Sequence, residues 1–290
     1  MTAIDATIDL LDVGSSQAPQ SMLARGGAAT VVPTRVQAFL IRSPGTRPVL
    51  VDTGFRDNAT MAASGFDAAP RQEEQGLAYQ LARFGLGVGD IGAVLVTHLH
   101  IDHAGQLCLF PMSTPVIVMR REVEVAIAGS HGHAFGGLGE VYPAVDMQHV
   151  FDRVYTSGAL AMLDLELTGP VEVWPGITCE ATGGHTEGSM SVRVATAEGD
   201  AVICGDLVYN VEASLIERRG KLDALEPSLS QQFTVSDRRE TAAVVRALSG
   251  ARFLLPAHDR PAVLDGGRVV GRIDGGRVPG PVTGLERQAI

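Results

Sequence analysis

The segment Thr97–Gly105, THLHIDHAG, places three histidines and an aspartate within six positions: His98, His100, Asp102 and His103. It follows an apolar run, AVLV, which is typical of a strand with both faces covered. Alternate side chains of an extended chain share a face, so His98 and His100 are predicted to reach one metal ion together. Asp102 and His103 follow a bend and are predicted to face a second ion. Without cations, these groups would only shift one another's pKa.

Imidazole nitrogens and carboxylate oxygens together suit Zn²⁺, and Fe, Mn and Co accept the same donor set. The alternative interpretation is a polar loop whose histidines are only solvated. Because four residues cannot complete two coordination shells, further ligands must come from later strand ends. Three candidates each follow an apolar or small-residue strand: His185 in ATGGHTEGS, Asp206 in AVICGDLVY and His258 in FLLPAH. Two divalent metal ions, most favourably Zn²⁺, are therefore the predicted cofactors.

Strands and helices alternate along the chain in an order that can position these residues. The first half predicts a strand at 4–13, a surface loop at 14–34, a hairpin at 36–55, a helix at 71–84, and a strand followed by a helix at 115–129. The helical pattern places Leu77, Leu81 and Phe84 on one face. Residues 129–150 are rich in glycine and aromatic residues, which predicts an irregular loop that walls a pocket.

The second half is predicted to be rich in strands: LDLEL, VEVW, ITCEATGG, SMSVRVAT, AVICGDLVY and RFLLPAH, with a helix at Val235–Leu248. The tail, DGGRVVGRIDGGRVPGPVTG, has too much glycine and proline for a helix and predicts a hairpin plus a loose end. Strands followed by helices occur twice, which predicts sheets packed between outer helices in an α/β protein. The chain is predicted to be one domain, 1–290, with halves at about 1–160 and 161–290 and a flexible tail at about 275–290.

Composition excludes several classes of protein. The formal net charge of −10 argues against a nucleic-acid surface, which needs dense positive charge. No apolar stretch approaches the roughly 18 residues of a membrane span, and MTAIDATIDLLDVG lacks the basic flank of a signal peptide. Cys108, Cys179 and Cys204 are odd in number without a CxxC pair, which predicts reduced, buried thiols in a cytoplasmic protein. A homodimer is the default expectation, since two-fold dimers are the commonest soluble oligomers.

The HxHxDH motif, which stands here as His98-Leu-His100-Ile-Asp102-His103, resembles the signature of the metallo-β-lactamase superfamily. The resemblance extends from VLVDTGF to PAHD and so covers most of the chain. It implies an αβ/βα four-layer sandwich, in which helices flank two packed mixed β-sheets and a dinuclear site lies between their edges. It further implies a first metal held by His98, His100 and His185, a second held by Asp102, His103 and His258, and a bridging Asp206.

Other residues match the family less sharply. Asp52 in VDTG resembles the acidic residue that orients a ligand histidine, which fixes its tautomer and ring angle; the alternative is a turn-forming aspartate before Thr-Gly. Gly183, Gly184 and Gly188 are predicted to let the backbone turn tightly around His185.

Among the subfamilies, the N-acyl-homoserine lactone lactonases fit best. They pair HLHxDHAG with a bridging aspartate that is followed three residues later by a tyrosine, here Asp206-Leu-Val-Tyr209. The commonest class B β-lactamases resemble this chain less, because they place a cysteine where Asp206 stands. Glyoxalase II-like thioesterases carry a C-terminal helical domain, whereas 290 − 258 = 32 residues follow His258 here. Ribonuclease Z-like phosphodiesterases need basic substrate arms, which the net charge does not favour.

The resemblance implies a metal-dependent hydrolase whose small-molecule substrate is a lactone, with an N-acyl-homoserine lactone as the leading candidate. Two cations about 3.5–4 Å apart can lower the pKa of a shared water and hold hydroxide as the nucleophile. Tyr209 is predicted to donate a hydrogen bond to the carbonyl oxygen, and Asp102 to carry a proton to the leaving alkoxide. The alternative substrates are another carboxylic ester, a thioester or a cyclic amide, with β-lactams and phosphodiesters less favoured. From another class, a metal-stabilised binding or sensor protein without turnover fits the same ligands.

The acyl pocket and the remaining histidines are assigned only by context. The loops predicted at 14–34 and 129–150 are the natural walls of an acyl pocket. His131 and His133, in SHGHAF, are interpreted as a solvated pair, with substrate contact as the alternative. His149 has no supporting context. For Cys204, buried packing is favoured over ligation.

Overall fold

Two mixed β-sheets pack face to face, and helices cover their outer faces. The computed structural model describes residues 5–23, 28–132, 141–156, 158–216 and 237–284. All structural statements below concern these residues. Among them, no helix combines the length and the apolar character that crossing a membrane requires.

The first sheet is built mainly from the first half of the chain. Its strands are β1 (Thr7–Pro19), β2 (Val31–Arg42), β3 (Val49–Val51), β4 (Ala93–Leu95), β5 (Val116–Met119), β6 (Leu160–Leu163) and, from the C-terminal region, β14 (Arg277–Val278). The helices of this half are α1 (Gln20–Leu23), α2 (Asn58–Ala63), α3 (Leu77–Ala82), α4 (Ile101–Ala104), α5 (Arg120–Gly132) and α6 (Ala144–Val154). Short 3₁₀ turns lie at Glu73–Gln75, Val88–Asp90 and Gly105–Leu109. The strand order is β14-β1-β2-β3-β4-β5-β6, and β3 to β6 run parallel.

The second sheet is built from the second half. Its strands are β7 (Val171–Trp174), β8 (Ile177–Ala181), β9 (Met190–Val194), β10 (Asp200–Gly205), β11 (Ala251–Pro256), β12 (Ala262–Asp265), β13 (Arg268–Ile273) and β15 (Val282–Gly284). Two helices, α7 (Leu165–Thr168) and α8 (Asp237–Leu248), and a π-helical turn at Glu212–Ile216 accompany them. The order is β15-β13-β12-β11-β10-β9-β8-β7, in which β10 and β11 form a parallel pair.

Alternation along the strands explains the continuous apolar runs in the sequence. On β10, Ala201 and Ile203 belong to the core between the sheets, whereas Val202 and Cys204 pack in the core that α8 covers. Both faces of such a strand are buried, so both sets of alternating side chains are apolar. The predicted α/β four-layer sandwich is therefore confirmed. That the chain forms one domain stays a prediction.

The prediction of a surface loop at 14–34 is wrong. Most of this segment extends β1 and β2, and Ser16 pairs with Thr34 across the ladder. A bulge between Asp12 and Gly14 shifts the register, and Gly14 adopts φ +140° against the ring of Phe55. Backbone pairing rather than apolar burial holds this extension in place. Its residues can therefore be polar, and the apolar pattern that marks a buried strand is missing.

Three further predictions of local structure need correction. Within the segment predicted as irregular, 129–132 belongs to α5 and 144–150 to α6, whereas 133–140 lies outside the described residues. LDLEL is divided between the end of β6 and α7, because Leu165 turns into the inter-sheet core.

The predicted flexible tail instead joins both sheets over residues 277–284, and 285–290 lies outside the described residues. Val278 pairs with Ile8 of β1 and is fully buried between the sheets. Arg277 adds an ion pair in which its Nε lies 2.6 Å from Oδ1 of Asp9. Glycine and proline exclude a helix here, but short edge strands tolerate both residues.

Candidate metal centre

The loop that carries His98 and His100 begins where β4 ends, at Leu95, so the prediction that both lie on the strand itself is wrong. The carboxylate of Asp52 explains the early end, because its two oxygens accept hydrogen bonds from the Thr97 amide and hydroxyl, each at 2.8 Å. The Thr97 carbonyl accepts from the Met190 amide of the second sheet at 2.9 Å. The chain thereby leaves the first sheet and turns towards the second.

A first group of ligand atoms comes from His98, His100, His185 and Asp206, and these atoms lie within 4.8 Å of one another. Nε2 of His185 lies 3.1 Å from Nδ1 of His100. Oδ2 of Asp206 lies 3.7 Å from Nε2 of His98 and 3.6 Å from Nε2 of His185. All four side chains are buried, so the group is shielded from solvent.

A second group comes from Asp102, His103 and His258, also within 4.8 Å of one another. Helix α4 starts at Ile101 and carries Asp102 and His103 into this second group, as predicted from the bend, although the His103 ring lies 4.0 Å from the His98 ring, centroid to centroid. Oδ1 of Asp206 lies 3.1 Å from Nε2 of His103 and 3.1 Å from Nε2 of His258. The two oxygens of Asp206 thus face different groups, which is the arrangement that a bridging carboxylate requires.

Three buried atoms support the fit of cations at this position. Nε2 of His98, Nε2 of His103 and Oδ1 of Asp206 make no hydrogen bond of ordinary geometry among the described residues, although Oδ1 of Asp206 lies within 3.1 Å of two imidazole nitrogens. Buried polar atoms normally do make such hydrogen bonds. Nitrogen and oxygen lone pairs that converge at this distance would be satisfied together by divalent ions. The seven-residue set predicted from the sequence is thus brought together, and the assignment of each residue as a ligand stays a prediction.

The electrostatics of the two groups differ. Burial, followed by the effect of neighbouring imidazoles, lowers the pKa of His98 and His100 well below its usual value, which leaves neutral lone pairs. Burial opposes charge on His258 too, but Asp206 and the other carboxylates raise its pKa to about 9. Although burial also opposes its ionised form, Asp206 has a pKa well below the usual range because His258 and His103 lie beside it. The first group therefore offers neutral imidazole nitrogens as metal ligands, whereas the carboxylates around the second group favour positive charge there.

Two outer contacts orient the histidines of the second group. Nδ1 of His103 lies 2.9 Å from Oδ2 of Asp52, which turns Nε2 of the same ring towards Asp206. Nδ1 of His258 lies 2.7 Å from the carbonyl oxygen of Arg35. A carbonyl can only accept, so Nδ1 of His258 carries the hydrogen and Nε2 of the neutral ring has the lone pair. Asp52 holds this position with φ +59°, a left-handed conformation that aspartate tolerates better than most residues.

Replacement of Asp52 by asparagine is expected to weaken metal binding by about 10–100-fold, because an amide orients the His103 ring less firmly. Competition with a chromophoric chelator measures the change. Asp265→Asn, on the exposed end of β12, is the matched control and should leave metal affinity unaltered. Equal affinities for Asp52→Asn and the unsubstituted protein would contradict an orienting role for this carboxylate.

The glycines around His185 act in two different ways. Only Gly183 has a left-handed backbone, with φ +52°. A Cβ on Gly184 would lie 2.4 Å from the Leu207 side chain, and one on Gly188 would lie 2.0 Å from the Glu122 backbone nitrogen. The tight turn predicted for all three therefore applies to Gly183, whereas Gly184 and Gly188 permit close packing.

Asp206 follows a left-handed residue at the end of β10. Gly205 has φ +53°, and a Cβ there would lie 2.7 Å from the Thr97 hydroxyl. This turn interrupts the strand alternation, so Cys204 packs in the core under α8 rather than beside the ligands. The favoured interpretation of Cys204 as a packing residue is confirmed.

Thiol reactivity offers a direct check of this packing. Burial raises the pKa of Cys179 and of Cys204 to about 12, whereas Cys108 is partly exposed. We expect iodoacetamide to modify Cys108 alone in the folded protein and all three cysteines in denaturant, as read by peptide mass spectrometry. Rapid modification of Cys204 in the folded protein would show that β10 is less protected than the structure indicates.

Tyr209 lies directly over the candidate metal centre. Its ring stacks on His258, with the planes 7° apart and the centroids at 5.0 Å, and it meets His185 edge-on at 5.7 Å. Burial and the nearby carboxylates of Asp206 and Asp102 raise its pKa well above the usual value. The phenol therefore keeps its proton and can donate a hydrogen bond.

A cavity of about 80 Å³ opens beside this tyrosine. Its lining comprises Ser16, Gln17, Ala18, Leu23, Thr34, Met61, Phe66, His100, Ile101, Asp102, Val141, Asp206, Tyr209 and His258. Residues from 14–34 and Val141 from 129–150 were predicted to form its walls. Met61, on α2, and Phe66, just after it, were missed, because a short helix with one buried residue gives little periodic signal.

Of the three remaining histidines, the structure describes the side chain of His149. His149, on α6, lies 3.4 Å from the Arg153 guanidinium, away from the ligands. The backbone of His131 lies in the last turn of α5, and His133 lies outside the described residues. Their interpretation as a solvated pair stays a prediction.

In sequence, the chain is similar to curated N-acyl homoserine lactonases. The N-acyl homoserine lactonase AiiA of Bacillus thuringiensis subsp. kurstaki is 27% identical over 164 residues, which cover 54% of this chain and 57% of the relative. The match thus spans less than two thirds of that protein's length.

Two solved structures share the fold. One is an N-acyl homoserine lactone hydrolase with N-hexanoyl-L-homoserine bound at its catalytic metal centre, with a TM-score of 0.62 and 20% identity over 84% of this chain and 88% of that chain. The other is AidC, a dizinc quorum-quenching lactonase, with a TM-score of 0.62 and 15% identity over 89% of each chain. At these identities the likeness shows the fold alone. The family model of the metallo-beta-lactamase superfamily, however, matches residues 31–280. This chain therefore belongs to the metallo-β-lactamase superfamily.

Proposed function

We propose that the protein is a metal-dependent hydrolase that opens the ring of a lactone, with N-acyl-homoserine lactones as its substrates. The observation that carries the proposal is the position of Asp206, whose two carboxylate oxygens face separate histidine groups beneath Tyr209. We further propose Zn²⁺ as the resident metal. The nitrogen and oxygen donor set suits zinc, and the fold neighbour AidC is described as dizinc.

The chemistry divides between the metal ions and the chain. When bound, the cations supply the positive charge that activates a water molecule for attack and polarises the lactone carbonyl. The Tyr209 hydroxyl donates a hydrogen bond to the carbonyl oxygen as negative charge develops there. Asp102 lines the cavity, with 16% of its side chain exposed, so it can pass a proton to the ring oxygen. One C–O bond forms from water, the ring C–O bond breaks, and the product is a hydroxy acid.

The cavity favours an acylated lactone over a small polar ester. Leu23, Met61, Phe66, Ile101 and Val141 form an apolar wall of this cavity, beside the polar side chains of the candidate metal centre. A lactone at the metal centre would thus direct its acyl chain along the apolar wall. The relatives described as N-acyl homoserine lactonases support the same assignment.

A substrate panel tests the proposal. Metal-reconstituted protein is offered N-acyl-homoserine lactones, thioesters, a β-lactam and a phosphodiester, and proton release and product mass are followed. We expect ring opening of the lactones with the gain of one water molecule, and loss of activity in chelated protein that returns on addition of metal. A clear preference for a non-lactone would replace the substrate assignment, and absence of all turnover would favour a binding protein.

The apolar wall gives a second test. Phe66→Ala is expected to raise KM for a decanoyl lactone by about tenfold, since one lost apolar contact is worth about 10–200-fold in such pockets. KM for a butanoyl lactone should hardly change, because the short chain does not reach Phe66. Tyr79→Ala, which removes an exposed aromatic ring that does not line the cavity, is the matched control. A similar KM change for both chain lengths would place the acyl chain elsewhere.

A further inference from the structure

Glu122 is a fully buried carboxylate that none of the predicted roles includes. It lies in the first turn of α5, next to the surface residue Arg121. Its Oε1 accepts hydrogen bonds from the Leu99 amide at 2.9 Å and from the Tyr142 hydroxyl at 3.0 Å. Its Oε2 accepts from the Thr186 hydroxyl at 2.5 Å. Three donors on distant parts of the chain thus converge on one buried side chain.

Each of these donors lies beside a histidine of the first group, two of them as chain neighbours and one through a ring contact. Leu99 stands between His98 and His100 in the chain. The ring of Tyr142 meets the His100 ring edge-on, with the centroids 4.9 Å apart. Thr186 directly follows His185. One carboxylate therefore ties together the backbone or ring contacts of all three histidines in the first group.

The packing around Glu122 joins the two halves of the sandwich. A Cβ on Gly188 would lie only 2.0 Å from the Glu122 nitrogen, so the turn after His185 rests directly on α5. On the surface, Arg121 forms an ion pair with Glu187 of the same turn. The His185 turn belongs to the second sheet and α5 to the first. The distance between His185 and the HxH loop is consequently set at this junction.

We propose that Glu122 is a positioning residue that holds the three histidines of the first group at metal-binding distance and leaves the second group unaffected. The inference rests on the metal centre of the proposed function and is independent of the substrate. Glu122 neither lines the cavity nor belongs to either group of ligand atoms in the described chain, so it acts through its hydrogen-bond partners. The second group is oriented separately, by Asp52 and the Arg35 carbonyl.

Glu122→Gln tests this role with little change in shape. One of its two oxygens becomes an NH₂ group, so either Thr186 alone or Leu99 and Tyr142 together lose their acceptor. We expect the affinity of the first group for metal to fall by about 10–100-fold, which is the usual effect of removing an orienting partner. The affinity of the second group should change much less, because other partners, Asp52 and the Arg35 carbonyl, orient His103 and His258.

Variants that weaken one group of ligands allow the metal affinity of the other group to be measured on its own. His258→Ala weakens the second group, and His185→Ala weakens the first, so each background reports mainly on the remaining group. Co²⁺ titrations of the apo proteins, followed by visible absorption with a competing chelator, then give the affinities. Glu122→Gln is expected to reduce affinity in the His258→Ala background and to leave it unchanged in the His185→Ala background. Equal losses in both backgrounds, or no loss in either, would overturn the proposal.

Controls separate positioning from a general loss of structure. Glu124→Gln, on the exposed face of the same helix, removes a carboxylate that meets only Arg121 and should change neither affinity. If Glu122→Gln does not fold, Thr186→Val and Tyr142→Phe remove two of its donors singly. Each should weaken the first group selectively, and unchanged Co²⁺ affinity in both would reject the proposal. Because no substrate is present, a normal titration without lactone turnover would reject only the proposed activity.

Discussion

Asp206→Asn is expected to lower metal content from two ions to one or fewer and to abolish most turnover. The carboxylate is buried with one oxygen facing each histidine group, and an amide offers an oxygen to only one of them. Its NH₂ group would face the other group without a suitable acceptor. Loss of one partner in a buried charged cluster costs about 3–5 kcal/mol, which corresponds to about 10²–10⁴-fold in affinity. Elemental analysis after gel filtration and the initial rate of lactone opening measure the two effects.

The matched control for this change lies on the same strand. Asp200→Asn removes a carboxylate whose Oδ2 lies 3.6 Å from Arg193 and whose side chain is 43% exposed. Exposed ion pairs contribute about 0–1 kcal/mol, so metal content and rate should be retained. Two tightly bound ions in Asp206→Asn would show that this carboxylate does not bridge, and the two groups would then bind metal independently.

Tyr209→Phe is expected to reduce turnover by about 10²–10³-fold, because it removes one hydrogen-bond donor to the developing oxyanion. The phenyl ring can keep the stacking contact with His258, so the ligand geometry should be preserved. Metal content and KM are therefore expected to change little. Stopped assays with saturating lactone give kcat, and elemental analysis of the same preparation gives the metal content.

Turnover and metal content, measured separately in Tyr209→Phe, distinguish a role in catalysis from a role in metal binding. Tyr155→Phe, at a residue that is 91% exposed, is the control for loss of a phenol elsewhere. An unaltered rate would remove Tyr209 from the mechanism. A parallel loss of metal would show that the phenol supports the ligands instead of the carbonyl oxygen.

Much of the candidate metal centre could be predicted from short segments of the sequence. Three histidines and an aspartate lie within six positions of THLHIDHAG, directly after an apolar run, and this cluster of metal-binding side chains is itself informative. The bend that separates Asp102 from His100 was also predicted, and the structure places it at the start of α4. Apolar runs such as AVICG indicated strands covered on both faces, and the family resemblance implied the four-layer sandwich.

The contacts around the metal centre were harder to predict from the sequence, because they join residues far apart in the chain. Glu122 resembles a surface acid in the sequence RREVE, yet its partners lie 23, 20 and 64 positions away. Met61 and Phe66 reach the cavity only because the extended β1–β2 hairpin and the loop after β3 come together there. Neither the hydrophobic periodicity nor the turn residues of a sequence indicate contacts between segments that lie far apart in the chain.

Residue types, their order along the chain and the family resemblance thus predicted the class of fold, the candidate donor atoms and their division into two groups. Periodicity and ligand chemistry are local properties, and they can be read without coordinates. The distances between the groups, the left-handed Asp52, the buried Glu122 and the shape of the cavity arose from packing between the two sheets. Those features depend on which strands become neighbours in the folded protein. Sequences with the same local pattern can differ in which strands they bring together.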